Sequence, residues 1–266
     1  MKTFQNKKIW ITGATSGIGE QLAYTLNNAG SFLIISSRRK DELERVKMAC
    51  KYPDKVSIQE LDMEKPESFT DIVMSVSKKH DRIDYLFNNA GISQRSLVRD
   101  TLPEVERKII EVNYFGNILL SKALLPIFEK QNYGHIVVTS SVAGKYGFYQ
   151  RSAYAASKHA LHGYYESLRY ETSENNIKIT LLVLGSINTG MSENALKGDG
   201  QRYNIKDPML VNGLSLEKCV SKILDGVANE KREAHIGGTD IFAITLKRFF
   251  PRLFYWMMKR KIKHLE

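Results

Sequence analysis

Short apolar runs and longer stretches of helical periodicity alternate along the chain. Lys8–Thr12, Phe32–Ser36, Val56–Leu61, Ile83–Phe87, His135–Thr139, Lys178–Leu184 and Glu233–Ile236 read as strands. Between them, Leu22, Ala23 and Leu26 recur at helical spacing up to Gly30, and Pro66 opens a helix reaching Lys79. A long helix is predicted from Pro103 to Glu129, burying Val105, Ile109, Val112, Phe115, Leu119 and Leu120, and another from Ser152 to Ser173. Strict alternation of the two patterns predicts an α/β fold, a doubly wound parallel sheet of about seven strands with helices on both faces.

The chain has 266 residues, 42% hydrophobic and 26% charged, which lies at the upper end of what one α/β core holds. One domain is expected over residues 1–240, followed by an extension over 241–266. Within the domain, 185–214 carries Gly190, Gly198, Gly200 and Gly213 among Asn and Asp residues, the composition of a mobile flap over a substrate or of an idle surface loop.

Two cysteines, Cys50 and Cys219, are too few for a disulfide framework, and no Cys or His cluster has metal-ligand spacing, so no metal is expected. With no leader pattern and no bilayer-length apolar run, a reducing, cytoplasmic setting is the simple expectation. The net charge of +10 would point to nucleic acid if it were spread over the domain. It is not: 241–264 holds seven Lys and Arg and no acid, leaving 32 basic and 28 acidic residues before Ile241. No nucleic-acid partner is expected.

The first strand runs into Gly13-Ala14-Thr15-Ser16-Gly17-Ile18-Gly19 and then a helix. Glycines there permit a tight turn and let backbone N–H groups and the helix N-terminus meet a pyrophosphate. About twenty residues further on, where an NAD site places an acid for the ribose 2′-hydroxyl, this chain has Ser36-Ser37-Arg38-Arg39. Hydroxyls and guanidinium groups suit a 2′-phosphate, so NADP(H) is expected; one of the two arginines can equally begin a solvated helix.

Asn88-Asn89-Ala90-Gly91 closes the fourth strand, either tying neighbouring loops or touching a ligand. Asn113 is a poor helix-interior residue, so it is either a satisfied polar core group or part of a proton path. The fifth strand delivers Ser140 and Ser141 at its carboxyl end, where open α/β sheets bind ligands. Tyr154 and Lys158, four apart, share one helix face, and a neighbouring ammonium is expected to lower the phenol pKa and make Tyr154 a usable proton donor and acceptor.

Taken together, the glycine loop, Asn88-Asn89-Ala90-Gly91, Ser141, Tyr154 and Lys158 resemble the short-chain dehydrogenase/reductase family over about Lys8 to Gly238. The resemblance implies a Rossmann fold and hydride transfer between nicotinamide and a carbonyl or secondary alcohol. It implies Asn113, Ser141, Tyr154 and Lys158 as the catalytic four: Ser141 holding the substrate oxygen, Tyr154 moving the proton, Lys158 binding the nicotinamide ribose and lowering the Tyr154 pKa, Asn113 helping to hold a water. It implies cofactor contacts from Gly13, Thr15, Ser16, Gly17, Ile18, Gly19, Ser37, Arg38, Arg39, Asp62, Asn89, Ala90, Gly91, Tyr154, Lys158, Ile187 and Thr189, and a homodimer or homotetramer.

Two departures stand out. Where the family usually has Pro-Gly after the sixth strand, this chain reads Leu184-Gly185-Ser186, which is expected to loosen the start of the flap. The end of the chain sets Phe249, Phe250, Phe254, Tyr255 and Trp256 among cations. That suits a helix lying at a membrane interface through 241–264, or one packed on the core or a second subunit. It also resembles membrane-associated hydroxysteroid and retinol dehydrogenases, which points to a lipophilic substrate. Other readings are a 3-oxoacyl-thioester reductase and a non-catalytic NADP(H)-binding or membrane-attached interaction protein.

Overall fold

Each of the seven apolar runs is a strand in the computed structural model, which describes residues 2–262 apart from the side chains of 208, 209, 261 and 262. These are β1 (Lys8–Thr12), β2 (Phe32–Ser37), β3 (Val56–Glu60), β4 (Tyr85–Asn88), β5 (Gly134–Ser141), β6 (Ile177–Leu184) and β7 (Glu233–Ile236). They form one parallel sheet in the order β3-β2-β1-β4-β5-β6-β7. Burial along β1, β5 and β6 is nearly continuous, as expected of parallel strands covered on both faces.

The helices supply those covers. On one face, Ile9, Ile11 and Leu33 pack with Leu22 and Leu26 of α1 (Gly17–Asn28), Leu43 of α2 (Lys40–Ala49) and Ile223 of α8 (Leu216–Ala228). On the other, Trp10, Ile34 and Leu86 pack with Val73 of α3 (Phe69–His80), Leu124 of α5 (Gly116–Lys130) and Leu161 of α6 (Ser152–Glu171). Trp10 is fully buried, and its indole N–H donates to Ser36 Oγ at 2.8 Å, so its polar edge is satisfied. The strand order reverses between β1 and β4, opening the crevice at their carboxyl ends where doubly wound sheets take ligands.

The expected long helix from Pro103 to Glu129 has a wide turn in its middle. α4 (Pro103–Ile110) passes through a π-helical segment, Glu111–Phe115, into α5. Asn113 lies in that segment, and such turns gather at functional sites. The side chain supplies the reason: Asn113 Oδ1 accepts from Ile92 N at 2.8 Å and Nδ2 donates to Ile92 O at 2.9 Å, fixing the helix against the loop after β4.

The flap is tethered at several points, with bridges Ile187 to Leu214, Gln94 to Leu196 and Leu196 to Arg202 and a short α7 (Pro208–Val211). Its start is held, correcting the loosening expected from the missing proline. Asp240 accepts from Ser186 N, and its carboxylate fills the space a side chain at Gly185 would need. Glycine serves there by leaving room for that carboxylate.

The extension forms α9 (Phe242–Phe249) and α10 (Pro251–Ile262); Lys263 and His264 of the expected interfacial segment lie outside the described residues. One side packs on the domain: Ile241, Ile244 and Phe254 join Val142, Tyr146 and Val183, and Phe254 meets the Tyr146 ring edge-on at 5.1 Å. The other side leaves Phe249, Phe250, Leu253, Tyr255, Trp256 and Met257 exposed. Among the described residues no helix is long and apolar enough to cross a membrane.

Candidate active site

β5 ends at Ser141, whose Oγ accepts from Ala143 N at 3.1 Å and so caps the turn that follows. Facing it, the first turns of α6 bring in Tyr154 and Lys158, both buried. Burial raises the Tyr154 phenol pKa, while the hydrogen bond with Ser141 and the charge of Arg151 pull it down. The expected lowering by Lys158 is therefore corrected. Lys158 Nζ stands 5.8 Å from the centre of the Tyr154 ring and donates to the Thr139 carbonyl at 2.7 Å, so its charge is spent on the end of β5. Burial lowers Lys158 itself to about 8, which leaves it a readily titrated group.

Asn113 is fully buried and its side chain is satisfied, with Nδ2 also reaching Ser157 Oγ at 3.1 Å. A Cβ on Gly91 would stand 3.1 Å from Asn113 Oδ1 and 3.6 Å from Lys158 Nζ, so Gly91 lets the loop pass close to both. Asn113, in the π-helical segment, is thus joined to α6 through Ser157, and Lys158 to the end of β5 through Thr139. Around Tyr154 the surface is apolar: Val105, Ile109, Ala143 and Ala153, with Ile92, Phe148 and Leu196 against them. A carbonyl oxygen placed between the Ser141 and Tyr154 hydroxyls would meet two donors in a site shielded from water.

The glycine loop opens α1, with Gly13 and Gly17 at φ +66° and +56°. It is locked from the side of β4. Asn89 Nδ2 donates to Thr12 O at 3.1 Å and Gly13 O at 3.3 Å, while Asn89 N and Ala90 N both donate to Thr12 Oγ1 at 3.1 Å. Of the two readings of that segment, loop tying is what its side chain does here. Gly17 faces Thr189, whose Cγ2 would lie 3.6 Å from a Cβ on that glycine, and Ile187 is buried beside it in the chain. Ser16 precedes α1, and Ile18 and Gly19 lie in its first turn.

At the end of β2 the two arginines part. Arg39 Nη2 donates to Thr15 Oγ1 at 2.9 Å, so this guanidinium turns to the glycine loop. Arg38 leans on Glu64 at 2.8 Å, two residues beyond Asp62, whose Oδ1 accepts from Glu64 N at 3.1 Å. Ser37 Oγ accepts from Arg39 N at 3.0 Å. Sequence reasoning missed Arg45, which donates to Thr15 O at 3.1 Å and pairs with Glu20 at 2.7 Å. It also missed Arg151, although a cation three residues before Tyr154 was a legible signal.

Away from this cleft, His162 Nε2 lies 2.9 Å from Ser140 Oγ, and its Nδ1 lies 3.6 Å from Glu233, which also pairs with Lys145 at 2.6 Å. A cavity of about 530 Å³ adjoins that group between β7 and α9, lined by Lys145, Glu233, His235, Ile244 and Lys247. Neither Ser141 nor Tyr154 lines it.

Residues 7–200 match the family model for short chain dehydrogenase. Among curated relatives, the dehydrogenase/reductase SDR family protein 7-like of Drosophila melanogaster is 37% identical over 98% of this chain and 82% of its own length. A short-chain dehydrogenase from Streptomyces avermitilis superposes with a TM-score of 0.82 at 26% identity, over 98% of this chain and 99% of that one. A short chain dehydrogenase/reductase from Burkholderia phymatum, solved in complex with NAD, shares the fold with a TM-score of 0.83 at 21% identity, covering 95% and 96% of the two chains.

Proposed function

Because this chain belongs to the short-chain dehydrogenase family, we propose that it is an NADP(H)-dependent oxidoreductase acting on a lipophilic carbonyl compound or secondary alcohol. The observation that carries the reading is Ser141 at the end of β5 beside buried Tyr154 and Lys158, which stand one helical turn apart on α6. The apolar wall of Val105, Ile109, Phe148 and Leu196 supports a lipophilic substrate.

The residues fit a nicotinamide dinucleotide. The glycine loop presents the N-terminal end of α1, and Gly13, Thr15, Ser16, Gly17, Ile18 and Gly19 would hold its phosphates. Ser37, Arg38 and Arg39 would receive a 2′-phosphate, supported by Arg39 already resting on Thr15. Asp62, Asn89, Ala90, Gly91, Ile187 and Thr189 would line the remainder. When bound, the dinucleotide supplies or accepts the hydride. Ser141 holds the substrate oxygen, Tyr154 gives or takes its proton, and Lys158 would hold the nicotinamide ribose; Asn113 positions the loop that passes Lys158.

Purified protein assayed with NADPH and NADH against lipophilic ketones and 3-oxoacyl thioesters tests this. Turnover with NADPH preference is expected. Tyr154→Phe should lose turnover by about 10²-fold or more while keeping NADPH binding by fluorescence; a wild type that binds NADPH and turns over no ketone would favour the non-catalytic reading.

The exposed aromatics of α9 and α10 beside Arg248, Arg252, Lys259 and Arg260 support peripheral attachment to an anionic membrane, with residues 1–240 as the catalytic domain. Phe115, which the helical pattern placed on the buried side but which is exposed at the end of the π-helical segment, and exposed Tyr170 of α6 support assembly into a homodimer or homotetramer.

A further inference from the structure

The cleft beside Tyr154 holds more buried positive charge than it neutralises. Arg95, in the loop after β4, and Arg151, immediately before α6, have side chains only 11% and 16% exposed. Both guanidinium groups close on a single carboxylate, Asp207, just before α7: Arg151 Nη2 lies 3.0 Å from Oδ2, and Arg95 Nη2 pairs with the same oxygen. Among the described residues no other acid pairs with either arginine, so two cations share one anion.

The hydrogen-bond inventory is lopsided as well. Two guanidiniums carry ten N–H donors, far more than one carboxylate accepts, and Arg151 Nε is buried without a hydrogen-bond partner. Burial and the mutual repulsion of the pair pull Arg95 down to about 10. A charge held out of water is costly unless it is paired. A latch holding the flap would need only one arginine.

The surplus lies next to the residues packed around Tyr154. Arg151 stacks over the Phe148 ring at 5.4 Å, and Phe148 packs in the apolar group that contains Tyr154. Leu196, from the same group, accepts the Arg95 backbone N–H at 2.8 Å. Gln94 fixes the frame from the other side, its Oε1 accepting from Ala153 N at 2.9 Å in the first turn of α6. The arginines therefore sit beside the apolar wall, within reach of a group attached to a substrate whose oxygen lies at Tyr154.

We propose that Arg95 and Arg151 form a binding site for an anionic group on the substrate, a carboxylate or a phosphate monoester, and that Asp207 is the internal anion such a group displaces. The proposal rests on the oxidoreductase reading of the same cleft and narrows its substrate class to acidic lipophiles. Displacing Asp207 frees the flap segment it belongs to, so entry of the acid is coupled to flap movement.

Calorimetry on the full chain with NADPH present, using octanoate, octyl phosphate and 1-octanol as probes, tests it. At least one acid should bind about tenfold or more tighter than the alcohol, the range of a charge-assisted hydrogen bond, and the stronger of the two identifies the group. Arg151→Gln and Arg95→Gln should each erase that preference. Asp207→Asn should tighten the acid, because the internal competitor loses its charge. A wild type that binds the two acids no better than octanol overturns the proposal, as does an Asp207→Asn protein that folds, by circular dichroism, yet binds the acid no tighter. Reduction of a neutral ketone by NADPH, measured alongside, separates the two readings: acid binding without any reduction removes the enzyme and keeps the site, and reduction without acid preference does the reverse.

Discussion

Asp240, immediately before the C-terminal extension, accepts a hydrogen bond from the backbone N–H of Ser186, where the flap begins. The same carboxylate takes Gly238 N at 2.9 Å and Ile241 N at 3.1 Å, so one side chain ties the end of the sheet, the flap and the extension together. Asp240→Ala leaves these N–H groups to water or to nothing, and a loss of about 2 kcal/mol is expected. Urea unfolding measures it. Because the flap start is released, KM should rise more than kcat falls.

Arg39 and Arg38 make different contacts, and the difference predicts their weights. Arg39 turns to the glycine loop, while Arg38 is already paired with Glu64. Arg39→Ala should therefore lower the NADPH to NADH preference by about 10- to 100-fold, the range of a charge-assisted hydrogen bond, with Arg38→Ala the milder change. The ratio of kcat/KM values for the two dinucleotides reads both.

His135 lies buried in β5 with Nε2 2.8 Å from Thr180 Oγ1, and burial, then the charge of Lys178, lowers it to about 4. An unfolded chain binds a proton there near 6.5, so between those values the unfolded state holds more protons and stability falls as pH falls. The loss develops from about pH 6.5 to about 4, is complete below that, and amounts to about 3 kcal/mol. His162 moves in the same direction. Thermal unfolding between pH 4 and 8 should show the slope, and His135→Gln should flatten it even if it lowers Tm at neutral pH.

The exposed face of α9 and α10 predicts binding to vesicles rich in anionic lipid. Replacing Phe249, Phe250 and Trp256 by Ser, all exposed, should abolish flotation while leaving the near side, with Phe254 on Tyr146, in place. Salt should weaken the wild type's binding, since part of it is charge attraction. Flotation that is equal on neutral and anionic vesicles would count against this.

Much of the molecule could be read before any folding was considered. Strand identity and parallel pairing follow from apolar runs alternating with helical periodicity, and the glycine loop and the Tyr154–Lys158 spacing are local patterns as well. A local pattern constrains backbone and facing, which is why β1 to β7 were legible. The wide turn at Asn113 was not, because it is set by hydrogen bonds to Ile92, 21 residues away.

What only tertiary structure decided are quantities that depend on who meets whom. Tyr154 has its pKa raised by burial, since desolvation depends on everything packed around the phenol and outweighs one neighbour's charge. Arg39, not Arg38, faces the loop; the extension has one side on the domain and one in solvent. Arg95 and Arg151, 112 and 56 residues from Asp207, converge on it. Nothing in the spacing of those three announces the meeting, because only the sheet, by carrying the loops after β4, β5 and β6 to one edge, brings their charges within contact.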